Sequence, residues 1–487
     1  MSRNSKTLMN RQYYLDAVLL PQGWARGAVV TVSEAGRIAR IEIAPPPLVA
    51  VPPPGAERIG GYVVPGMPNA HSHAFQRAMV GAAEYRQSKQ DSFWSWREAM
   101  YGLANRIQPE ELLVVATQLF VEMLKAGYTS VAEFHYLHRQ ANGAPYAGNN
   151  ALWEAIGEAA SIAGIGLTFL PTLYQTGDFG DKPLKKDQAR FALEAEDFVR
   201  LIGERVQADR RRGSGTQRTG AAFHSLRAVP ISTLAAVAKE LAGINPALPV
   251  HIHVAEQLRE VNACRRANGK RPIELLLKTG LINAHWCLVH ATHSTVKELQ
   301  GIAAAGATVC VSVSTEANLG DGAFDAARFL DMQGHLCIGS DSQVTVNPAE
   351  ELRWMEYQQR LRRKRRAVLA TDTEPHVGTR LWRDAAIHGA QAIGQPVGAI
   401  AAGRRADWLV LDPHHPSLAG AAADAALDHL LFAGGHAAIR DVMVAGRWVV
   451  RHRHHDAEAA LGEKFANLMS RILHPQAPMH PQVTPEN

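Results

Sequence analysis

The chain has 487 residues, a formal net charge of +5 and an ordinary globular mix, 46% hydrophobic and 20% charged. That length exceeds one small core and predicts roughly two to four domains, although a barrel alone absorbs about 250 residues. No apolar run is long enough to span a bilayer, and the four cysteines, Cys264, Cys287, Cys310 and Cys337, contain no C-x-x-C, which argues against a disulfide framework or a cysteine-rich zinc site.

The opening "MSRNSKTLMNRQYYLDAVLL" passes from basic residues into an interrupted apolar segment without a clean cleavage site, and reads as the start of a mature cytoplasmic chain. Short strands follow: "YLDAVLL", then "GAVVTVSEAGRIARIEI" with a turn at Ala35-Gly36, then the Pro-rich link "APPPLVAVPPPG". The far end is similar, with "ADWLVLD" and then "DVMVAGRWVVRH", which turns at Gly446. Neither end holds a core by itself. Residues 1–64 and 395–455 are therefore expected to pack into one small β-sandwich. A C-terminal helix and tail are expected over 456–487, with the closing "QAPMHPQVTPEN" disordered.

Between these ends, over 65–394, short apolar runs alternate with helical stretches. The runs are "YVVPGMPNAHSH", "TSVAEFHY", "GIGLTFLPTLY", "AAFHSLRAV", "LPVHIHVAEQ", "WCLVHAT", "ATVCVSVSTE" and "HLCIGSDS". Helical segments such as "PEELLVVATQLFVEMLKAG" and "PIELLLKTG" separate them. Eight strands alternating with helices is the α/β pattern of a (β/α)8 TIM-type barrel. An open doubly wound sheet is the runner-up, weakened by the lack of G-x-G-x-x-G after the first strand. Cys287, Cys310 and Cys337 fall in the apolar runs and read as buried free thiols. Two basic clusters, "RRRGSGTQR" (210–218) and "LRRKRR" (361–366), lack interleaved aromatics. They read as a solvated loop and helix face, so no nucleic-acid partner is expected.

In such a barrel the active residues stand at the C-terminal strand ends. The first strand ends in His71 and His73, whose i, i+2 spacing puts both rings on one face. The fourth ends in His224 and Arg227, the fifth in His251, His253 and Glu256, the sixth in His290 and the eighth in Asp341. Each alone reads as a satisfied polar residue; together they converge on one mouth. Three imidazoles and a carboxylate, from His71, His73, His253 and Asp341, suit a borderline divalent ion such as Zn²⁺ with one position left for water. Glu256, three residues past His253, is placed to carry a proton from the attacking water to a leaving nitrogen. His290 is placed to polarise the electrophile or to share protons with Asp341.

This order of motifs, H-x-H, H-x-x-E, a lone His and then S-D, resembles the amidohydrolase superfamily. "VGAIAAGRRADWLVLD" and "VMVAGRWVV" are similar to that superfamily's sandwich strands. The resemblance spans most of the chain and implies a barrel with a small sandwich, usually in a homodimer. Two-metal members bridge their ions with a lysine at the end of strand four. Here "AAFHSLRAVP" offers none, and the glutamate of H-x-x-E is typical of one-metal deaminases. One divalent ion per chain is implied, Zn²⁺ first. The H-x-E and P-C-x-x-C signature of cytidine-type deaminases is absent.

Longer strings narrow the resemblance: "PGMPNAHSHAFQRAM", "DSFWSWREAMY", "AEFHYLH", "FHSLRAV", "HVAEQ" and "SDSQVTVNPAEELRWMEYQQRL". They are similar to a deaminase branch that releases ammonia from a linear amidine on a small dianionic substrate. The likeness implies that Arg97 and Arg227 grip carboxylates with planar forks. It also implies that Gln76, Tyr136 and His224 bind the remaining polar atoms. Trp94 and Trp96 read as packing residues. The sequence departs from that branch in the Arg- and Gly-rich stretch around Arg210 to Gly220, and at Phe223, where a proline is expected before His224. Two other readings stay open: a related member acting on a neutral heterocycle, against which the two arginines speak, and an inactive barrel serving as a scaffold, against which the complete ligand set and Glu256 speak.

Overall fold

The computed structural model describes residues 10–43, 52–84, 93–147, 151–213 and 215–473. The first nine residues, most of the Pro-rich link and the closing "QAPMHPQVTPEN" lie outside the described residues. Near the N-terminus stand β1 (Arg11–Leu20), β2 (Gly23–Val32), β3 (Ile38–Ile43) and β4 (Glu57–Pro65). Nine strands then build the central sheet: β5 (Met67–Ser72), β6 (Tyr128–His135), β7 (Gly166–Leu173), β8 (Gln217–Thr219), β9 (Ala221–Phe223), β10 (Val250–Val254), β11 (Trp286–His290), β12 (Thr308–Val311) and β13 (His335–Ile338). The chain ends with β14 (Trp408–Leu411), β15 (Ile439–Val444), β16 (Arg447–Val450) and a helix, Glu458–Leu473.

Eight of the central strands run parallel in the order β13-β12-β11-β10-β9-β7-β6-β5, with β8 paired to β7 off this path. They are buried on both faces, as a barrel wall inside a ring of helices must be. The circle closes between its first and last strands. Asp341 N and Ser340 N each donate to the His71 carbonyl at 3.0 Å, and His73 N donates to the Asp341 carbonyl at 3.1 Å. Closure requires Gly339, since a Cβ there stands 2.7 Å from the His71 Cβ. The same hydrogen bonds that shut the barrel therefore set Asp341 beside the two histidines of β5.

The helix Pro109–Ala126 shows how local chemistry fits the frame. Pro109 opens it, Gln108 and Glu111 form a capping box, and Gly127 ends it in the left-handed region. Its apolar side, including Leu112, Leu119 and Met123, is fully buried in the core shared with the barrel.

The chain ends form a separate seven-stranded mixed sheet, in the order β16-β15-β14-β4-β1-β2-β3. Antiparallel pairing of β14 with β4, from Trp408 against Pro65 to Leu411 against Tyr62, joins the two halves. Alternation along these strands serves two cores. Val63, Trp408 and Val410 join Tyr13, Leu15 and Met443 in a cluster internal to this sheet, whereas Val64, Leu409 and Leu411 face the barrel's core.

Three expectations about element limits are corrected. "YVVPGMPNAHSH" is two strands, because the chain crosses from the sheet (β4) to the barrel (β5) at Gly66, where a Cβ lies 2.3 Å from Thr129 side-chain atoms. "ATVCVSVSTE" is strand only to Val311, and Val313–Leu319 is helix. The cluster at 210–218 is not all loop and helix: Gln217 and Arg218 belong to β8, which pairs with β7.

Candidate metal-dependent active site

His71 occupies β5 and His73 the position just after it, His253 lies in β10, His290 ends β11, and Glu256 and Asp341 follow β10 and β13. Three of these turns carry non-glycine residues in the left-handed region: Ala255 (φ 53°), His290 (φ 68°) and Asp341 (φ 49°). Such conformations cost energy and gather at sites where side-chain aim matters more than backbone comfort.

The donor atoms converge. Ligand atoms of His71, His73 and His253 all lie within 4.8 Å of one another, as do those of His71, His290 and Asp341. His71 Nε2 and His73 Nε2 each stand 3.4 Å from Asp341 Oδ1, and His253 Nε2 is 3.1 Å from His71 Nε2. The tautomers follow from the opposite edges of two rings. His73 Nδ1 is 2.8 Å from the Phe134 carbonyl, and His253 Nδ1 is 2.8 Å from the His224 carbonyl. A carbonyl only accepts, so each Nδ1 carries the proton and each Nε2 offers a lone pair. Burial holds the pKa of all three rings down, that of His73 at about 3. Neutral imidazoles with inward lone pairs beside an ionised carboxylate are the donor set a divalent cation takes. The residues fit such an ion, and no lysine stands among them.

Around this set the charges are coupled. His290 Nε2 lies 3.7 Å from Asp341 Oδ2 and 3.8 Å from Glu256 Oε1, and Glu256 Oε2 lies 3.8 Å from Arg227 Nη2. Burial works against a charged His290, but Glu256, Glu316 and Asp341 outweigh it and raise the ring to about 10. Burial also raises Glu256, with His290 and Arg227 acting against it. Asp341 is buried too, yet the neighbouring imidazoles of His71, His290 and His73 hold its carboxyl below the usual range.

Glu316, fully buried in the helix after β12, is not among the residues singled out from the sequence. Its Oε1 accepts from Ser312 N at 3.1 Å and stands 3.2 Å from His290 Nδ1, while its Oε2 has no partner among the described residues. The available signal was a carboxylate a few residues beyond a barrel strand, the relation Glu256 has to β10.

Gln76, Arg97, Tyr136, His224 and Arg227 line one cavity with His73, His253, Glu256, His290 and Asp341. Gln76 Nε2 donates to Tyr136 Oη at 3.0 Å, and His224 Nδ1 is 3.1 Å from Ser225 Oγ. Among the described residues, no hydrogen-bond partner reaches the buried Gln76 Oε1, Arg97 Nε or Arg227 Nε. Trp94 does more than pack, since the guanidinium carbons of Arg259, Arg97 and Arg227 lie 4.1, 4.4 and 5.9 Å from its ring centre. Trp96 lines the cavity. The free space is about 50 Å³, far below the roughly 300 Å³ of a formed ligand pocket. A ligand the size of an amino-acid derivative enters only if wall side chains shift.

Three comparisons bear on this geometry. The Amidohydrolase family model matches residues 62–449. Formimidoylglutamate deiminase of Pseudomonas aeruginosa is 48% identical over 460 residues, 94% of this chain and 99% of that protein. A 5-methylthioadenosine/S-adenosylhomocysteine deaminase of Halalkalibacterium halodurans is 27% identical over 80% of each chain. Among solved structures, an amidohydrolase from Brucella melitensis superposes with a TM-score of 0.87 at 40% identity, covering 95% of this chain and all of that one. A zinc-bound adenosine deaminase from Xanthomonas campestris shares the fold, with a TM-score of 0.77 at 20% identity. A closed barrel with its histidines and carboxylates at one mouth, a matching family model and a relative aligned over nearly its whole length lead to one assignment: the chain belongs to the amidohydrolase family.

Proposed function

We infer that the chain hydrolyses N-formimidoyl-L-glutamate to N-formyl-L-glutamate and ammonia, a step of histidine degradation. The observation that carries the substrate is the pair Arg97 and Arg227 on the wall of the cavity that holds the donor set: two cations for a molecule with two carboxylates. The relative of 48% identity, named formimidoylglutamate deiminase, supports the same reading.

His71, His73, His253 and Asp341 would hold one divalent ion, Zn²⁺ in the first place. When bound, such an ion acts as a Lewis acid and brings the pKa of water toward about 7. Arg97 and Arg227 bind the glutamate carboxylates through charge-assisted forks, and Gln76, Tyr136 and His224 hold the remaining polar atoms. Asp341, backed by His290, takes a proton from the attacking water as its oxygen bonds to the formimidoyl carbon. Glu256, whose raised pKa suits a group that both accepts and gives a proton, delivers one to the terminal nitrogen. The hydroxyl proton then passes to the Glu256 carboxylate and on to the same nitrogen as the C–N bond breaks, ammonia leaves with its electron pair, and the carbon keeps the new oxygen as a formyl group. The enzyme acts in the cytoplasm as a homodimer.

The test is ammonia release by metal-loaded protein from formimidoylglutamate and from a panel of neutral heterocycles. Turnover of formimidoylglutamate is expected. Turnover of a heterocycle with formimidoylglutamate ignored overturns the substrate while leaving the barrel and donor set in place.

A further inference from the structure

The mouth makes no use of the basic cluster at 210–218. Part of that cluster lines a second cavity, of about 250 Å³, whose wall includes Arg37, Asp209, Arg210, Arg218, Thr219 and Gln395. It lies away from the mouth. β8 pairs with Leu167–Phe169, near the start of β7, so Arg218 and Thr219 belong to the N-terminal end of the barrel, whereas the catalytic groups stand at the C-terminal strand ends. Arg210 comes from the last turn of the helix Ala195–Arg212, and Arg37 from the turn between β2 and β3. Three separate elements thus bring guanidinium groups to one hollow beside the seven-stranded sheet.

The charges there do not balance. Arg37 gives one hydrogen bond to the Gly403 carbonyl (3.1 Å), and Arg210 one to the Ile244 carbonyl (3.2 Å). Among the described residues, no ion pair reaches Arg37, Arg210 or Arg218, and no side-chain hydrogen bond reaches Arg218. Among the described residues, Asp209 is the only carboxylate of the wall, and it forms no ion pair there. Arg405, also in the wall, is already committed to Asp407 and Gln395. Burial lowers the pKa of Arg218, with Asp209 opposing, so part of its hydration is lost without a partner in return.

We propose that this cavity is a binding site for a phosphate-bearing small molecule, held by Arg37, Arg210 and Arg218. Planar guanidinium forks match phosphate oxygens in geometry and charge. The space exceeds what one phosphate group fills, so an organic group attached to it is accommodated as well.

The test is calorimetric titration of inorganic phosphate into the metal-loaded protein at constant ionic strength set with chloride. Wild type is expected to bind. Arg218→Gln and Arg210→Gln are each expected to weaken binding about tenfold or more, the worth of one charged hydrogen bond, with ammonia release unchanged. Arg210 stands at an exposed helix end, so its variant keeps the test open if Arg218→Gln unfolds. Arg227→Ala, at the mouth, is expected to leave the phosphate affinity alone. Absence of binding to wild type overturns the proposal. So does an affinity that survives both cluster substitutions or falls in Arg227→Ala, because the phosphate then sits elsewhere.

Discussion

The mouth of the barrel has two halves built on different principles. The donor half, His71, His73, His253 and Asp341, rides on strands or directly at their ends, and backbone carbonyls or closure hydrogen bonds hold its members. The substrate half hangs from a helix and a loop. Arg97 leans on the Trp94 ring, Arg227 faces Glu256 at 3.8 Å, and both keep an unpartnered buried Nε. On the proposed function, a rigid donor set would fix where chemistry happens, and a looser wall with spare donors would recognise what arrives. The small free volume fits that division, since the wall must yield and the donors need not.

The comparison is broken most severely at the donor half. His253→Ala removes one inward lone pair and is expected to lower metal content, measured by elemental analysis, from about one equivalent per chain to a small fraction, with activity lost alongside. A full equivalent retained in that variant would detach His253 from the ion. Next, Glu256→Gln is expected to keep the metal but lose about 10²–10⁴-fold in kcat, since the amide cannot carry the proton. Near-normal turnover in metal-replete protein assigns the proton to another group.

The substrate half answers differently. Removing one partner of a buried charge pair costs roughly 2–5 kcal/mol, so Arg227→Ala is expected to lose about 30-fold or more in kcat/KM at unchanged metal content. The loss should shrink for a formimidoyl amine with one carboxylate fewer; an equal loss on both substrates removes Arg227 from carboxylate recognition. The smallest effect sharpens the boundary between the halves. Glu316→Gln keeps an acceptor for His290 Nδ1 but removes the charge. It is expected to cost about tenfold in kcat with KM held, because Glu316 reaches the reaction only through His290. A change confined to KM places Glu316 with the substrate wall instead.

The donor half was legible because its residues follow apolar runs at regular intervals, and the i, i+2 pair His71 and His73 states its face outright. The two-ended sheet was legible through the similar strands near both termini. The crossing at Gly66 was not, because "YVVPGMPNAHSH" reads as one run; the glycine leaves room for the Thr129 side chain, a neighbour that no local pattern reports. Glu316 escaped because "VSVSTE" continues the strand's β-branched composition while its last residues turn into a helix. Trp94 reads as packing in any pattern, and only the fold brings Arg227 and Arg259 to the same ring as Arg97. β8 is too short for its alternation to be seen.

The pairing of β4 with β14 also bears on how the protein is made. β4 leaves the ribosome early and finds β1 as one neighbour, but its other edge is completed by a strand from the far end of the chain. Through the synthesis of the whole barrel, that edge carries unpaired backbone donors and acceptors, a template for pairing with another chain. The last strands therefore act as a closing seal, and a truncation before Trp408 should leave a chain that is competent to form its barrel strands yet prone to associate along the open edge of β4.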